Sequence, residues 1–129
     1  MTGVQSPIAL VGRILIAAVF LWQGYAKLID FTATVGYARA AGMPLPEVGV
    51  AIGAVIELLG SALLIFGFQI RVVALIMAGF SIATALIFHR DLKNFDEAIH
   101  FWKDLCIAGG LLQIVAFGGG GYSIDARRG

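Results

Sequence analysis

The chain has 129 residues, of which 60% are hydrophobic and only 13% are charged, and its mean hydropathy is +0.93. These values exclude an ordinary soluble globular domain. The net charge of +1, with basic residues dispersed along the chain, excludes the basic surface of a nucleic-acid-binding protein. The composition therefore indicates an integral membrane protein whose main partner is the lipid bilayer.

Four apolar runs are long enough to cross a hydrocarbon core, which takes about 20 residues of helix. The chain is too short for two domains, so we expect a single domain over 1–129. Short loops between the runs predict an all-α membrane protein, an antiparallel four-helix transmembrane bundle with both termini on the same side. The first residues lack the basic start and cleavage site of a signal peptide, so the first span should stay attached. The predicted spans are about 7–29, 46–66, 71–89 and 101–117.

Glu57 lies near the middle of the second span, which is otherwise apolar. A carboxylate at that depth costs roughly 2.5–3.5 kcal/mol, so it should face other helices and have a partner or a proton. Gly49, Gly53, Glu57, Gly60 and Leu64 follow each other at helical spacing, which places small residues and the acid on one stripe. Small residues let a neighbouring helix approach closely in lipid, so this stripe is predicted to face inward.

Two interpretations of Glu57 stay open at the level of sequence. Comparing depths at about 1.5 Å per residue places Arg13 of the first span roughly a turn and a half away, within reach of a structural ion pair. Alternatively, an acid inside the membrane is a functional site that exchanges protons.

Polar side chains of three spans are predicted to converge at the interface opposite the termini. They suggest a pocket mouth with Glu57 at its floor, although each one taken singly also fits an interfacial anchor. Two histidines are too few to define a metal site. We interpret Glu57, His89 and Lys103 as candidate catalytic residues. The other polar residues of this mouth are Gln23, Lys27 and Asp104, as candidate ligand-binding residues, and His100.

The segments between the spans, and the segment after the last span, also have predictable features. Residues 31–41 form a short amphipathic stretch in which Phe31, Val35 and Ala38 are expected to face lipid. Residues 90–100 are predicted to be a charged loop, and the glycine run 118–121 ends the fourth span before a polar tail.

The order and spacing of several short motifs resemble the DoxX family of small four-helix bacterial membrane proteins, over nearly the whole chain. These motifs are Arg13 with FLWQGYAKL at 20–28, MPLP at 43–46, IELLGSALLIFG at 56–67 followed by Arg71, His89, FWKD at 101–104, GGLL at 109–112 and YSID at 122–125. One departure is Asp104, where the family often has an asparagine.

The resemblance implies a bacterial inner-membrane location and a place in an oxidoreductase system. Namesakes of the family are linked to a thiosulfate:quinone oxidoreductase and to an assembly that handles thiol and oxidative stress. By that resemblance the chain would be a quinone-interacting membrane subunit. Lys27, His89 and Lys103 would donate hydrogen bonds to the quinone oxygens, while Glu57 passes protons.

In this hypothesis the isoprenoid tail of the quinone lies in a cleft opened by Gly53 and Gly60. The chain has no haem-ligand pair, flavin motif or metal set, and its single cysteine, Cys106, excludes an internal dithiol pair. Electrons would therefore come from a soluble redox protein or a bound substrate. The alternatives are a non-enzymatic scaffold that docks a peripheral partner through 90–100, and a small transporter, which would need a homo-oligomer.

Overall fold

The computed structural model describes residues 5–88 and 93–128, which form helices and turns with no strand among them. Four of the helices are long and apolar enough to span a membrane, and the predicted antiparallel four-helix transmembrane bundle is confirmed. We call the side on which the first helix begins and the fourth span ends the terminal side, and the opposite side the loop side. The helices are α1 (Gln5–Ile29), α2 (Phe31–Ala40), α3 (Pro46–Phe66), α4 (Ile70–Phe88), α5 (Phe95–Phe117) and α6 (Ile124–Arg128).

The bounds of α3 match the prediction because the chain carries a start and a stop signal there. Pro46 occupies the first turn, where its missing N–H leaves no hydrogen bond unmade. Gly67 ends the helix with φ of 73°, a left-handed conformation that glycine adopts without strain. A tight turn then leads directly into α4, so α3 and α4 are antiparallel neighbours.

Helix α5 begins at Phe95, earlier than the predicted start at residue 101. The side chain of Asn94 accepts hydrogen bonds from the backbone N–H groups of Asp96 and Glu97, at 3.0 and 3.3 Å. These two acids also lie in the first turn, where the helix dipole favours negative charge. The second half of the predicted charged loop is therefore helical.

Helix α2 packs on α3 rather than on lipid. Val35 and Ala38 are buried with Val50 of α3, and Met43 and Phe88 pack against them. The expectation that Val35 and Ala38 face lipid was wrong, because the turn after α2 folds this helix back over the start of α3. A small apolar cluster thus closes the loop-side end of the α3 helix.

The glycine stripe of α3 faces inward, as predicted, and side chains of α4 pack closely on it. A Cβ atom at Gly53 would lie 3.3 Å from the ring of Phe80, and one at Gly60 would lie 2.9 Å from the sulfur of Met77. Gly60 lines a small groove of about 150 Å³ between α3 and α4, and Gly53 does not. The predicted cleft is therefore present at Gly60 alone.

Helix pairing leaves the bundle open on one flank. Helix α1 packs extensively on α3, and α4 packs extensively on α5, while α3 and α4 join the two pairs. Helices α1 and α5 barely touch, so a seam runs between them. This α1–α5 seam is where the cavities along the membrane-spanning part of α1 are found.

The chain after the glycine run, expected to be only a polar tail, folds back over the terminal side. The carboxylate of Asp125 accepts hydrogen bonds from the N–H groups of Gln69 and Ile70, both at 2.8 Å. Its own N–H donates to the carbonyl of Gly67 at 2.9 Å. Asp125 thus caps the start of α4, and the short helix α6 is anchored by that contact.

Substituting Gly24 with alanine should destabilise the bundle by about 1–3 kcal/mol, the usual cost of overpacking. A Cβ there would lie 2.7 Å from Cγ of Leu58 and 3.2 Å from Cβ of Glu57. Gly12→Ala on the same helix is the matched control, since nothing lies within 4 Å of its Cβ position. The measurement is the midpoint of unfolding by sodium dodecyl sulfate in mixed micelles, and equal midpoints for the two variants would contradict the close packing of α1 on α3.

Candidate functional site

Arg13 is buried, with 1% of its surface exposed, at the terminal-side end of α3. Its Nη1 donates to the carbonyls of Leu64 at 3.0 Å and Ile65 at 3.2 Å, and its Nη2 donates to the carbonyl of Tyr122. The last carbonyls of a helix lack partners within the helix and carry its negative dipole end, so a guanidinium is well placed there. Arg13 therefore ties α1, α3 and the C-terminal segment together.

The predicted ion pair between Arg13 and Glu57 was wrong. Glu57 instead binds Lys27 of α1: its Oε1 accepts a hydrogen bond from the lysine Nζ. Glu57 is fully buried, whereas 23% of the Lys27 side chain is exposed. The acid is thus neutralised from the loop side and not from the terminal side.

The register between α1 and α3 decides which cation reaches Glu57. Gly24 lies against Leu58 and Glu57, at the closest approach of the two helices. Lys27 is one turn further along the same face of α1, and its long stem passes Gly53 on the way to the carboxylate. The sequence carries part of this signal, since Gly24 and Lys27 share a face of α1, but the axial offset between α1 and α3 is a property of the tertiary structure.

The second carboxylate oxygen of Glu57 has a different environment from the first. Oε2 is buried and accepts no hydrogen bond within the described part of the chain. A buried acceptor without a partner is costly, so this oxygen is suited to holding a proton or to meeting a further donor. The hydrogen bond from Lys27 thus satisfies only Oε1 of the carboxylate.

A groove of about 950 Å³ opens at the loop-side end of the α1–α5 seam. We call it the loop-side groove. It brings together the predicted mouth residues Gln23, His100, Lys103 and Asp104. Its full lining is Val19, Trp22, Gln23, Phe95, Ala98, Ile99, His100, Trp102, Lys103, Asp104, Cys106 and Ile107.

Two of the predicted site residues, Glu57 and Lys27, do not line this groove. They form a separate pair between α1 and α3, in which Glu57 is buried and Lys27 is partly exposed. His89 falls outside the described residues. The predicted single pocket with Glu57 at its floor is therefore a surface groove and a buried pair that are distinct from each other.

Asp104 lines the groove from α5. An asparagine at this position would provide hydrogen bonds but no charge and no exchangeable proton. The departure from the family pattern at Asp104 thus places an acid on the groove wall.

The groove walls combine rings, donors and a thiol. Trp22 and Trp102 are 72% and 59% exposed and line it from opposite helices. Cys106 is exposed on the groove. Only the tertiary structure shows that the two tryptophans, which are distant in sequence, border one cavity. Among the described residues, no cluster of three metal-ligating side chains occurs.

Comparison with known proteins gives consistent matches over most of the chain. The model of the DoxX family matches residues 8–90. The chain is 37% identical over 119 residues to the inner membrane protein YqjF of Escherichia coli K12, covering 90% of this chain and 88% of that protein. It is 31% identical over 131 residues to the inner membrane protein YphA of the same organism, covering 97% and 94%. No solved structure matches the chain significantly.

Removing both members of the Lys27–Glu57 pair should destabilise the protein less than the two single removals added together. Lys27→Met leaves the carboxylate of Glu57 buried without its cation, which typically costs about 3–5 kcal/mol. The double variant Lys27→Met with Glu57→Met leaves no charge behind, so its loss should be smaller than the sum of the two single losses. Unfolding midpoints of the four proteins measure the coupling energy, and simple additivity would show that the pair contributes no interaction.

Proposed function

This chain belongs to the DoxX family and is a multi-pass protein of the bacterial inner membrane, and we propose that it is the quinone-interacting membrane subunit of an oxidoreductase system. The observation that carries the proposal is the loop-side groove, which presents hydrogen-bond donors and aromatic rings at one membrane interface. A quinone headgroup needs donors for its oxygens and flat apolar walls for its ring.

The residues of the groove fit such a headgroup. Lys103 and Gln23 supply donors from facing helices, and Trp22 and Trp102 supply flat surfaces that a ring can stack on. His100 adds a further polar group at the same rim. These side chains would hold and orient the headgroup where the hydrocarbon core meets water.

The α1–α5 seam also offers space for an isoprenoid tail. A second cavity of about 250 Å³ lies further along it towards the terminal side. Ile16, Gly110 and Ile114 are among its mainly apolar lining. The tail is therefore proposed to follow this seam, in place of the cleft at Gly53 and Gly60.

Two acids are placed to hold protons near the groove. A bound quinone would supply redox chemistry that takes up protons together with electrons. Asp104 lines the groove wall, and Glu57 is buried between α1 and α3 with one oxygen free of hydrogen bonds in the described structure. Lys27 stabilises the ionised form of Glu57, so this acid can release a proton without leaving an unpaired charge.

The electrons would come from another molecule. The sequence contains no haem-ligand pair, flavin motif or thiol pair. A soluble redox protein at the membrane surface, or a bound reduced substrate, would supply them. The exposed start of α5 borders the groove and is the surface closest to such a partner.

The test is binding of a ubiquinone or menaquinone analogue to the protein in nanodiscs. Trp22→Ala and Lys103→Ala should each weaken binding about tenfold, since each removes a contact worth about 1.4 kcal/mol or more. Tyr25→Ala is the matched control, because Tyr25 is an exposed aromatic residue of the same helix end that does not line the groove. Its affinity should equal that of the unaltered protein.

Two outcomes would contradict the proposal. One is the absence of saturable binding to the unaltered protein, and the other is equal weakening by Tyr25→Ala and Trp22→Ala. Either result would favour the non-enzymatic scaffold, in which the polar groups of the groove serve only a peripheral partner. Near-ultraviolet circular dichroism of each variant checks that the fold is intact.

A further inference from the structure

A separate cavity of about 520 Å³ lies at the terminal side, at the opposite end of the bundle from the loop-side groove. It is an open cavity bordered by the start of α4, the end of α5, the glycine run that follows and the start of α6. The candidate spans Ile70–Phe88 and Phe95–Phe117 begin and end here. The cavity therefore lies at the depth of the lipid headgroups.

The guanidinium of Arg71 lies against the backbone of Gly118 at the wall of this cavity. A Cβ at Gly118 would stand 3.4 Å from Nη2 and 3.6 Å from Nε of Arg71. Gly118 has φ of 82°, a conformation that other residues rarely adopt. Both the shape of the loop and the space beside the guanidinium thus depend on glycine at this position.

No carboxylate of the described residues forms a salt bridge with Arg71. The salt bridges found there join Lys27 to Glu57 and Arg39 to Glu47. Asp125 also borders the cavity, but both of its oxygens accept hydrogen bonds from the N–H groups that start α4. Arg71 therefore has its planar set of donors available to an anion, and that geometry matches two oxygens of a phosphate.

The apolar part of the wall lies on the membrane side of Arg71. Val72 and Phe117 are 57% and 69% exposed and line the same cavity. The order from cation to apolar surface matches the order from phosphate to acyl chain in a phospholipid. A free phosphate ion would use Arg71 but would gain nothing from Val72 or Phe117.

We propose that this cavity binds the phosphate group of an anionic phospholipid, with Arg71 as the headgroup ligand and Val72 and Phe117 against the upper acyl chain. The site shares no residue with the loop-side groove, which lies at the other end of the bundle. Phe117, Gly118 and Gly119 also border the second cavity of the α1–α5 seam, so Arg71 and Val72 distinguish the lipid site from the proposed path of the quinone tail. Its occupant would link α4, α5 and the glycine run at the membrane surface.

The experiment is native mass spectrometry of the whole protein in detergent micelles titrated with phosphatidylglycerol. One lipid should remain bound at the lowest concentrations, and Arg71→Gln should weaken that binding about tenfold, as expected for the loss of a charge-assisted contact. Arg127→Gln is the matched control: this arginine is exposed on the same side but does not line the cavity. Its affinity should stay within about twofold of the unaltered protein, well below a tenfold loss.

A parallel titration with inorganic phosphate separates the lipid from a soluble anion. Phosphate at millimolar concentration should not displace the bound lipid, since it lacks the apolar contacts. Displacement by phosphate, equal loss in both arginine variants, or no retained lipid would each overturn the proposal. Unchanged thermal unfolding of Arg71→Gln confirms that a loss of binding does not come from a loss of fold.

Discussion

The buried carboxylate of Glu57 imposes the constraint on which the rest of the bundle depends. In hydrocarbon an ionised acid needs a partner from the protein, and Lys27 is that partner. The lysine reaches it only because Gly24 lets α1 approach α3 to contact distance. Charge neutralisation and close helix packing are therefore achieved by the same face of α1.

The axial offset between α1 and α3 also determines the position of Arg13, at the other end of the two helices. It carries Arg13 past Glu57 to the last turn of α3, where backbone carbonyls of Leu64 and Ile65 accept its donors. The C-terminal segment is held to the same place through Tyr122 and Asp125. The terminal side of the bundle is thus held by a network of hydrogen bonds. On the loop side, the flank between α1 and α5 is open.

The opening on the loop side follows from how the helices pair. Helix α1 packs mainly on α3, and α5 packs mainly on α4, so no helix covers the flank between α1 and α5. The polar residues Gln23, Lys103 and Asp104 line this flank, and they are the groups on which the proposed quinone site rests. The cavity at Arg71 lies at the opposite, terminal side, where the glycine run meets the start of α4 and the end of α5.

The sequence by itself determined the spans, the inward stripe of α3 and the position of the acid within it, because hydrophobicity and helical spacing are local properties of the chain. It also contained the start signal of α5, which is Asn94 followed by two acids. The predicted start at residue 101 was later because it was placed where the apolar run begins. Only the tertiary structure decided that Lys27 rather than Arg13 meets Glu57, and that the open seam lies between α1 and α5. Both depend on the axial offset and pairing of helices distant in sequence, which are set by contacts such as Gly24 on Leu58 and not by the pattern of any one helix.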